Sequence, residues 1–517
     1  MAGADDRDPF LDRLGDPGAD RPRDVETAMI ALDRYNGQRV GVFGMGRSGL
    51  TCARALRAGG ATPVCWDDSE AGRERARAEG FEVADLTVAD SYGAGEERMR
   101  VVALSPGAPH LYPQPHPVAQ TAWELDCLVD NDVGLFFSQI SAARRESAPS
   151  DVPKVVAITG SNGKSTTSAL IHHMLKAAGR PAQLGGNIGR GVLDLDPPGP
   201  GEIYVLELSS YQTDLARRMT PDVAVLLNLH PDHLDRHGGL GGYFAAKARL
   251  FQRGPDHRSG AYLPGPPPHQ IIGVDEAEGR YLANHQRSGD ADEPVVEISA
   301  GRDLSDKTRA VFGQGGVLRV IEAGAEQTPM PIDGAPWLKG AHNVQNAAAA
   351  VAACRALGLS HEETLSGLAS FPGLPHRLQR VAEQDGVTYV NDSKATNADA
   401  AEKALLAYEN VRWIVGGRQK EGGIEPLRPL FGRIRKAYLV GEASEQFAAT
   451  LRVYPEEVPY EKCGTIDAAV AQAHADAEAG DTVLLAPACA SFDQFPDFEK
   501  RGEAFIASVE TALASQK

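Results

Sequence analysis

The chain has 517 residues, 42% of them apolar and 24% charged, with 52 Lys and Arg against 70 Asp and Glu, for a formal net charge of −18. That length holds several domains with ample core. The acidic balance argues against nucleic acid or an anionic membrane as partner, although a local cluster of donors can still receive an anionic small molecule.

No apolar run approaches the roughly 18 residues of a membrane helix. The N-terminus, MAGADDRDPF, is acidic and has no apolar stretch of a signal peptide. The six cysteines show neither C-x-x-C pairs nor regular spacing, which suits reduced core residues of a cytoplasmic protein. Residues 1–35 are rich in Asp, Arg, Pro and Gly and predict a partly disordered leader.

A first domain is expected over 36–147. RVGVFGMGRSGLTCARALRAGG is a short β run, then Gly44-x-Gly46-x-x-Gly49, then a helix pattern. A second β run, TPVCW, ends at Asp67, which completes a dinucleotide-type fingerprint and predicts a Rossmann-like fold. On these residues alone its ligand stays open between NAD, a nucleotide sugar and none. RVVALSPGAP predicts a further strand ending at the same sheet edge, and SAARRESAPSDVP reads as a linker.

A central domain is expected over 148–371, opening on PKVVAITGSNGKSTT. A β-branched strand running into Gly160-Ser161-Asn162-Gly163 and then a helix aims backbone N–H groups at one point, where polyphosphate can sit. Lys164 would reach the outer phosphates, and the Ser165 or Thr166 hydroxyl would ligate magnesium. The G-x-x-x-x-G-K-[ST] pattern is imperfect, with Ile158 where it has glycine. KVVAIT, IYVLELSS and DVAVLLNL suit a parallel sheet covered on both faces. Residues 254–335 read as a loop-rich, partly antiparallel excursion, followed by the alanine helix HNVQNAAAAVAACRALG. After FPGLPHRLQRV, alternating units predict a third open α/β domain over 372–517, with the turns NDSKATN, GGRQKEGG and PACASFDQF on one candidate surface. The fold class is therefore three open α/β domains: Rossmann-like, P-loop ATPase-like and Rossmann-like.

Single residues carry weaker signals. Glu207, at a strand tip beside the glycine turn, suits either a magnesium ligand or a helix-capping carboxylate. His233, in NLHPDHLDRHG, is a magnesium-side ligand or a hydrogen-bonded loop residue; zinc is disfavoured for want of a second ligand pair. Lys247 reads locally as a solvated helix lysine. Asn343 would cap the alanine helix or touch a base. Arg377, Asp392, Lys394 and Lys420 supply donors and acceptors on the third domain but read singly as surface charges.

Taken together, GSNGKST, GGNIG, YVLELSSYQ, DHLDRH, AAKARLF, GAHNVQN, GLPHR, NDSKATN, GGRQKEGG and APACASFDQFPDFEKRG resemble the Mur ligase family, in its D-glutamate-adding branch. The resemblance runs from about residue 38 to the C-terminus. It implies ATP-dependent amide formation in peptidoglycan precursor synthesis: the carboxylate of UDP-N-acetylmuramoyl-L-alanine takes the γ-phosphate as an acyl phosphate, and D-glutamate displaces phosphate. By resemblance, Gly160 to Thr166 hold ATP together with Asn343, Arg377, Asp392 and Lys394. Ser165 and Glu207 ligate one magnesium ion and His233 a second. Lys247 matches a carbamylated lysine that ligates or orients the second ion. Arg47, Ser48, Asp67, Gly107 and Asn187 face the UDP-sugar; Thr396, Lys420, Ser491 and Phe498 face D-glutamate. A monomer is expected, whose domains close for catalysis. Three features depart from the family pattern: the leader, Gly134 where the family has an acid (which leaves the first domain's last strand uncertain), and the 254–335 excursion. The rivals are another amide ligase of the family, a nicotinamide-dependent oxidoreductase built on the first domain, and a silent binder of UDP-muramoyl peptides.

Overall fold

Each β-branched run is a strand in the computed structural model, and most are followed by a helix that returns the chain to lay the next strand parallel. The structure describes residues 29–255, 262–263, 267–287, 295–332, 341–419, 422–452 and 458–514. Of these, residues up to 332 together with 341–370 form one compact unit, and those from Phe371 onward a second.

The first sheet holds β1 (Arg39–Phe43), β2 (Thr62–Trp66), β3 (Glu82–Val83), β4 (Val101–Leu104) and β5 (Leu128–Asp130), all parallel, in the order β3-β2-β1-β4-β5. Helices α1 (Arg47–Ala58), α2 (Glu70–Ala78), α3 (Pro117–Glu124) and α4 (Asp132–Glu146) connect and cover it. The third fingerprint glycine, Gly49, is a packing requirement: a Cβ there would lie 1.8 Å from the Gly44 carbonyl oxygen.

Three expectations change here. Residues 29–35, assigned to the leader, belong to the fold: Ile30 and Leu32 are buried, and their N–H groups donate to Leu193 O and Ala55 O. Residues 1–28 lie outside the described structure. The expected linker begins later, because α4 runs through Glu146, its N-cap Asn131 accepting from Gly134 N–H. Gly134 has a structural counterpart to the missing acid. A Cβ at 134 would lie 1.8 Å from Asp130 Oδ1, so the carboxylate of the preceding strand end fills that space.

The second sheet is ten-stranded, with the path β16-β15-β14-β13-β12-β9-β6-β8-β7 and β17 on β15. Its parallel part comprises β6 (Lys154–Thr159), β7 (Ala182–Gly186), β8 (Ile203–Glu207), β9 (Val223–Leu226), β12 (His269–Gly273), β13 (Val295–Ser299) and β14 (Ala310–Gln314). Antiparallel β15 (Val317–Glu322), β16 (Ala325–Glu326) and β17 (Met330–Pro331) finish one edge, and β10 (Gly254–Pro255) pairs with β11 (Tyr262–Leu263) apart from it. The 254–335 segment is thus less of an excursion than expected. Its β12, β13 and β14 extend the parallel sheet, and its antiparallel parts are the short β10–β11 pair at its start and β15 to β17 at its far end. Helices α5 (Lys164–Ala177), α6 (Ser210–Leu215), α7 (Leu234–His237), α8 (Leu240–Ala248), α9 (Ala277–Arg287), α10 (Ala341–Ala356) and α11 (His361–Ala369) complete this part. One apolar core runs from Val40 and Leu56 under the first sheet to Val155, Tyr204 and Phe312 under the second.

The second unit carries a six-stranded sheet, β18-β19-β23-β20-β21-β22, parallel except for the β18–β19 hairpin. Its strands are β18 (Gln379–Gln384), β19 (Val387–Asn391), β20 (Val411–Gly416), β21 (Ile434–Val440), β22 (Tyr460–Gly464) and β23 (Thr482–Leu485). Helices α12 (Ala398–Leu406), α13 (Ser444–Arg452), α14 (Ile466–Asp476) and α15 (Phe498–Ala514) flank it, over separate cores on its two faces.

Candidate active site

The glycine turn after β6 is held open by its surroundings. Gly160 and Gly163 have φ of +152° and +83°, and Gly163 caps α5 with no side-chain hydrogen bond. The first N–H groups of α5 therefore have no capping side chain. A Cβ on Gly163 would lie 2.1 Å from Asn346 Oδ1, so the turn needs glycine for space as well as for conformation.

Residues that sequence reasoning missed fix the turn. Asn228, past the end of β9, accepts from Asn162 N–H at 2.9 Å and donates to Asn162 O at 3.2 Å. It also donates to Gln345 Oε1 at 3.0 Å, and Gln345 donates to Asp275 Oδ2 at 2.6 Å. Ser161 Oγ lies 2.9 Å from Tyr243 OH and donates to His230 O. Asn343 lies inside the first turn of α10, buried, and accepts from Asn346 at 3.0 Å. The H-N-x-x-N spacing (Asn343, Asn346) was the available signal, since residues three apart share a helix face. Ser165 and Thr166 follow Lys164 in α5, Thr166 buried.

Two lysines share one oxygen. Lys164 Nζ donates to Gly160 O at 2.9 Å and Ser161 O at 3.0 Å; Lys247 Nζ donates to Gly160 O at 2.9 Å and Thr159 Oγ1 at 3.3 Å. Lys247 is 1% exposed and lies 4.8 Å from the centre of the Tyr243 ring. This corrects the local reading of Lys247 as a solvated lysine: α8 turns it beneath the glycine turn, on the face it shares with Tyr243. Burial, then the neighbouring Lys164 ammonium, push its pKa down to about 7, against a weaker upward pull from Asp232 and Glu207.

Glu207 ends β8 beside Ile158 of β6 and is 3% exposed. Its Oε1 accepts from Asn187 Nδ2 at 3.1 Å, while its Oε2 is buried without a hydrogen-bond partner among the described residues. Helix α6, which follows, is capped by Ser209 and Gln212, so Glu207 is not the capping carboxylate. An orphaned carboxylate oxygen near uncapped helix N–H groups and two lysines fits a hard cation and a polyphosphate. Among the described residues no three His, Cys, Asp or Glu side chains form a ready metal cluster. The fit therefore rests on Ser165 and Glu207 for an ion that retains much of its water. His233 adopts φ +51° as N-cap of α7; its half-exposed ring lies 4.9 Å from that of Tyr211 and its Nε2 3.4 Å from Asp232 Oδ2.

The residues expected to face the UDP-sugar fall at the junction of the two sheets. Arg47 donates to Gly189 O at 3.4 Å, beside Asn187. Ser48 lines a small cleft with Ser105, Pro106 and Asp132, and Gly107 O accepts from Arg236 at 2.8 Å. Asp67 accepts from Met45 N–H at 2.6 Å, Ser69 N–H at 2.8 Å and Ser69 Oγ at 2.7 Å. Partial burial acts upward on its pKa, but these bonds outweigh it and hold the carboxyl below its usual range.

In the second unit, burial pushes Asp392 up to about 6, against Arg377 and the Leu378 N–H, which donates to it at 3.2 Å. Lys394 Nζ stands 4.9 Å from the Phe498 ring centre, and Thr396 N–H donates to Lys394 O. Buried Arg501, missed in the sequence, donates to Ser393 O, Ser393 Oγ and Cys489 O, joining the turns that carry Asp392, Lys394 and Ser491. The Phe498 carbonyl accepts from Ser393 Oγ at 2.7 Å, and Ser491 is buried. Lys420 lies outside the described residues.

Residues 158–354 match the Mur ligase middle domain and 376–489 the Mur ligase glutamate ligase domain. A UDP-N-acetylmuramoylalanine–D-glutamate ligase of Ruegeria pomeroyi is 54% identical over 485 residues, covering 94% of this chain and 100% of the relative. The chain belongs to the Mur ligase family. The same-named protein of Dinoroseobacter shibae is 52% identical over 481 residues, covering 93% of this chain and 99% of its own. Among solved structures, a UDP-N-acetylmuramoyl-L-alanyl-D-glutamate–2,6-diaminopimelate ligase aligns with TM-score 0.56 at 19% identity, over 96% of this chain and 98% of its own. A MurF ligase of Thermotoga maritima in complex with ADP aligns at 0.52 and 16% identity, over 96% and 100%. At such identities these two likenesses concern the fold, which is the three-domain α/β architecture of this ATP-dependent family. No described helix is long and apolar enough to cross a membrane.

Proposed function

We propose that the chain is a cytoplasmic, monomeric ligase that adds D-glutamate to UDP-N-acetylmuramoyl-L-alanine at the expense of ATP. The observation that carries it is the meeting of an uncapped helix N-terminus, two lysines on one carbonyl, and the orphaned Glu207 oxygen. The reaction must bring a carboxylate up to a triphosphate. Lys164 and the α5 N–H groups answer that repulsion with fixed positive ends that need no reorganisation. Magnesium, when bound, supplies the remaining positive charge; Ser165 and Glu207 would hold one ion and His233 a second. In the second unit, Arg377, Asp392 and Lys394 are assigned to nucleotide contacts, and Thr396, Lys420, Ser491 and Phe498 to the amino acid.

Lys247 as an ammonium would repel a nearby cation. A pKa lowered to about 7 leaves much of it as free amine at neutral pH, the form that adds carbon dioxide to give an anionic carbamate. We assign it that state in the working enzyme. Enrichment with ¹³C-labelled carbon dioxide should give one carbamate carbon resonance that Lys247→Ala lacks; its absence from the wild type would refute the assignment.

The deciding assay is phosphate release with ATP, magnesium and UDP-N-acetylmuramoyl-L-alanine, with D-glutamate set against L-glutamate, L-alanine and diaminopimelate. Release with D-glutamate alone is expected. Release with another amino acid would move the chain to a different branch of the family.

A further inference from the structure

Three consecutive residues, Arg236, His237 and Gly238, meet the loop after β4, the first and third directly and His237 through Asp214. Arg236 donates to Gly107 O at 2.8 Å and Pro106 O at 3.4 Å, its guanidinium 4.6 Å from the Tyr211 ring centre. His237 is buried, with Nε2 3.0 Å from Ser210 Oγ and Nδ1 3.2 Å from Asp214 Oδ2. The same Asp214 oxygen lies 3.6 Å from Nε2 of His110, at the other end of the loop. At Gly238, with φ +66°, a Cβ would lie 2.8 Å from the Tyr112 ring.

The Ser210–His237–Asp214 order is that of a hydrolytic triad, but all three side chains are buried, so no ester or amide reaches the serine. The arrangement instead joins two regions of one unit. On one side is the loop 106–112, whose Gly107 is assigned to the UDP-sugar. On the other is the turn of His233, which packs through Tyr211 and Tyr243 toward Ser161 of the glycine turn.

We propose that Arg236 and His237 are positioning residues that pre-form the UDP-substrate loop from the nucleotide-side turn, so that the substrate carboxylate meets an already ordered partner. This rests on the assignment of Gly107 to the UDP-sugar. It has an unusual consequence: His237, on the nucleotide side, governs UDP-substrate binding when neither nucleotide nor metal is present. A loop left to order itself on binding weakens affinity, because the ordering entropy then falls on the binding step.

The test is calorimetric titration of the full-length protein with UDP-N-acetylmuramoyl-L-alanine in EDTA, without ATP. The wild type should bind, and both Arg236→Ala and His237→Phe should bind about tenfold more weakly, a loss of about 1.4 kcal/mol. Asp214→Asn, which keeps size and one acceptor, should show a smaller loss and serves if His237→Phe fails to fold. His237→Asn, which keeps a polar contact to Asp214, should recover part of the affinity. Folded variants that bind within twofold of the wild type would overturn the inference. A wild type that binds no UDP-substrate would instead refute the underlying assignment.

Discussion

The first unit contains two strand–glycine–helix turns built to one plan, and they end in opposite electrostatic states. At the first, after β1, the Asp67 carboxylate at the end of β2 accepts the Met45 N–H, so the chain's own anion occupies one donor of the turn, while its other oxygen accepts from Ser69. At the second, after β6, no acid of the chain caps α5, and two lysines stand over Gly160 O. A glycine-rich turn alone therefore does not say what it binds. That is decided by side chains from distant strands and helices: here one turn holds a carboxylate of the chain and the other two ammonium groups, while the N-caps of both following helices, Gly46 and Gly163, have no side-chain hydrogen bond.

Breaking the second turn should have the largest effect. Lys164→Ala removes the fixed cation assigned to the phosphates, and steady-state phosphate release should fall by about 10³-fold. Activity near wild type would place the nucleotide elsewhere. Lys247→Ala should cost about 10²-fold, with part of the rate returned by formate, a small carboxylate able to stand in for a carbamate. Its pH dependence has a definite sign. The folded pKa of about 7 lies below the usual 10.5, so the amine, and with it the carbamate, gains as pH rises through 7. In stability terms the buried ammonium is a burden below pH 7 that fades toward the unfolded pKa, because over that range the unfolded chain binds the extra proton. Lys247→Met should accordingly raise Tm at pH 6 by about 2 °C, and the gain should shrink by pH 9; an equal gain at both would mean the effect is packing alone.

Much of this was legible beforehand because it is local. Gly160 to Thr166, the Gly44–Gly49 fingerprint and the strands around them follow from short patterns of β-branched residues, glycine and helix formers. What was missed is non-local. The burial of Lys247 depends on α8 lying under a turn more than eighty residues earlier, as its 87-residue hydrogen bond to Gly160 records. The strands β12 to β14 pair in parallel with partners supplied by the fold, and their proline- and glycine-rich flanks hid them. Asn228, Gln345 and Asp275 are isolated polar residues without period or motif, and only their chain of hydrogen bonds reveals that they brace Asn162. Ile30 and Leu32 sit in a segment whose composition resembles the leader but whose two apolar side chains dock on the core.

The smallest expected effect sharpens the first turn. In Asp67→Asn, one side-chain oxygen can still accept from Ser69, but an amide NH₂ would then face the Met45 N–H, donor against donor. The turn should loosen without unfolding its domain, raising the KM for the UDP-substrate by about tenfold, as for a lost charge-assisted hydrogen bond. The KM for ATP should stay within twofold, because the glycine turn after β6 is braced by its own residues. The wild-type carboxyl is held below the ordinary carboxylate range, so its contribution is present above about pH 4 and lost only as pH falls through the lowered folded value. Between pH 5 and 8 the ratio of mutant to wild-type KM should therefore be flat. A ratio that changed across that window would mean that another titrating group, and not the Asp67 carboxylate, holds the first turn in shape.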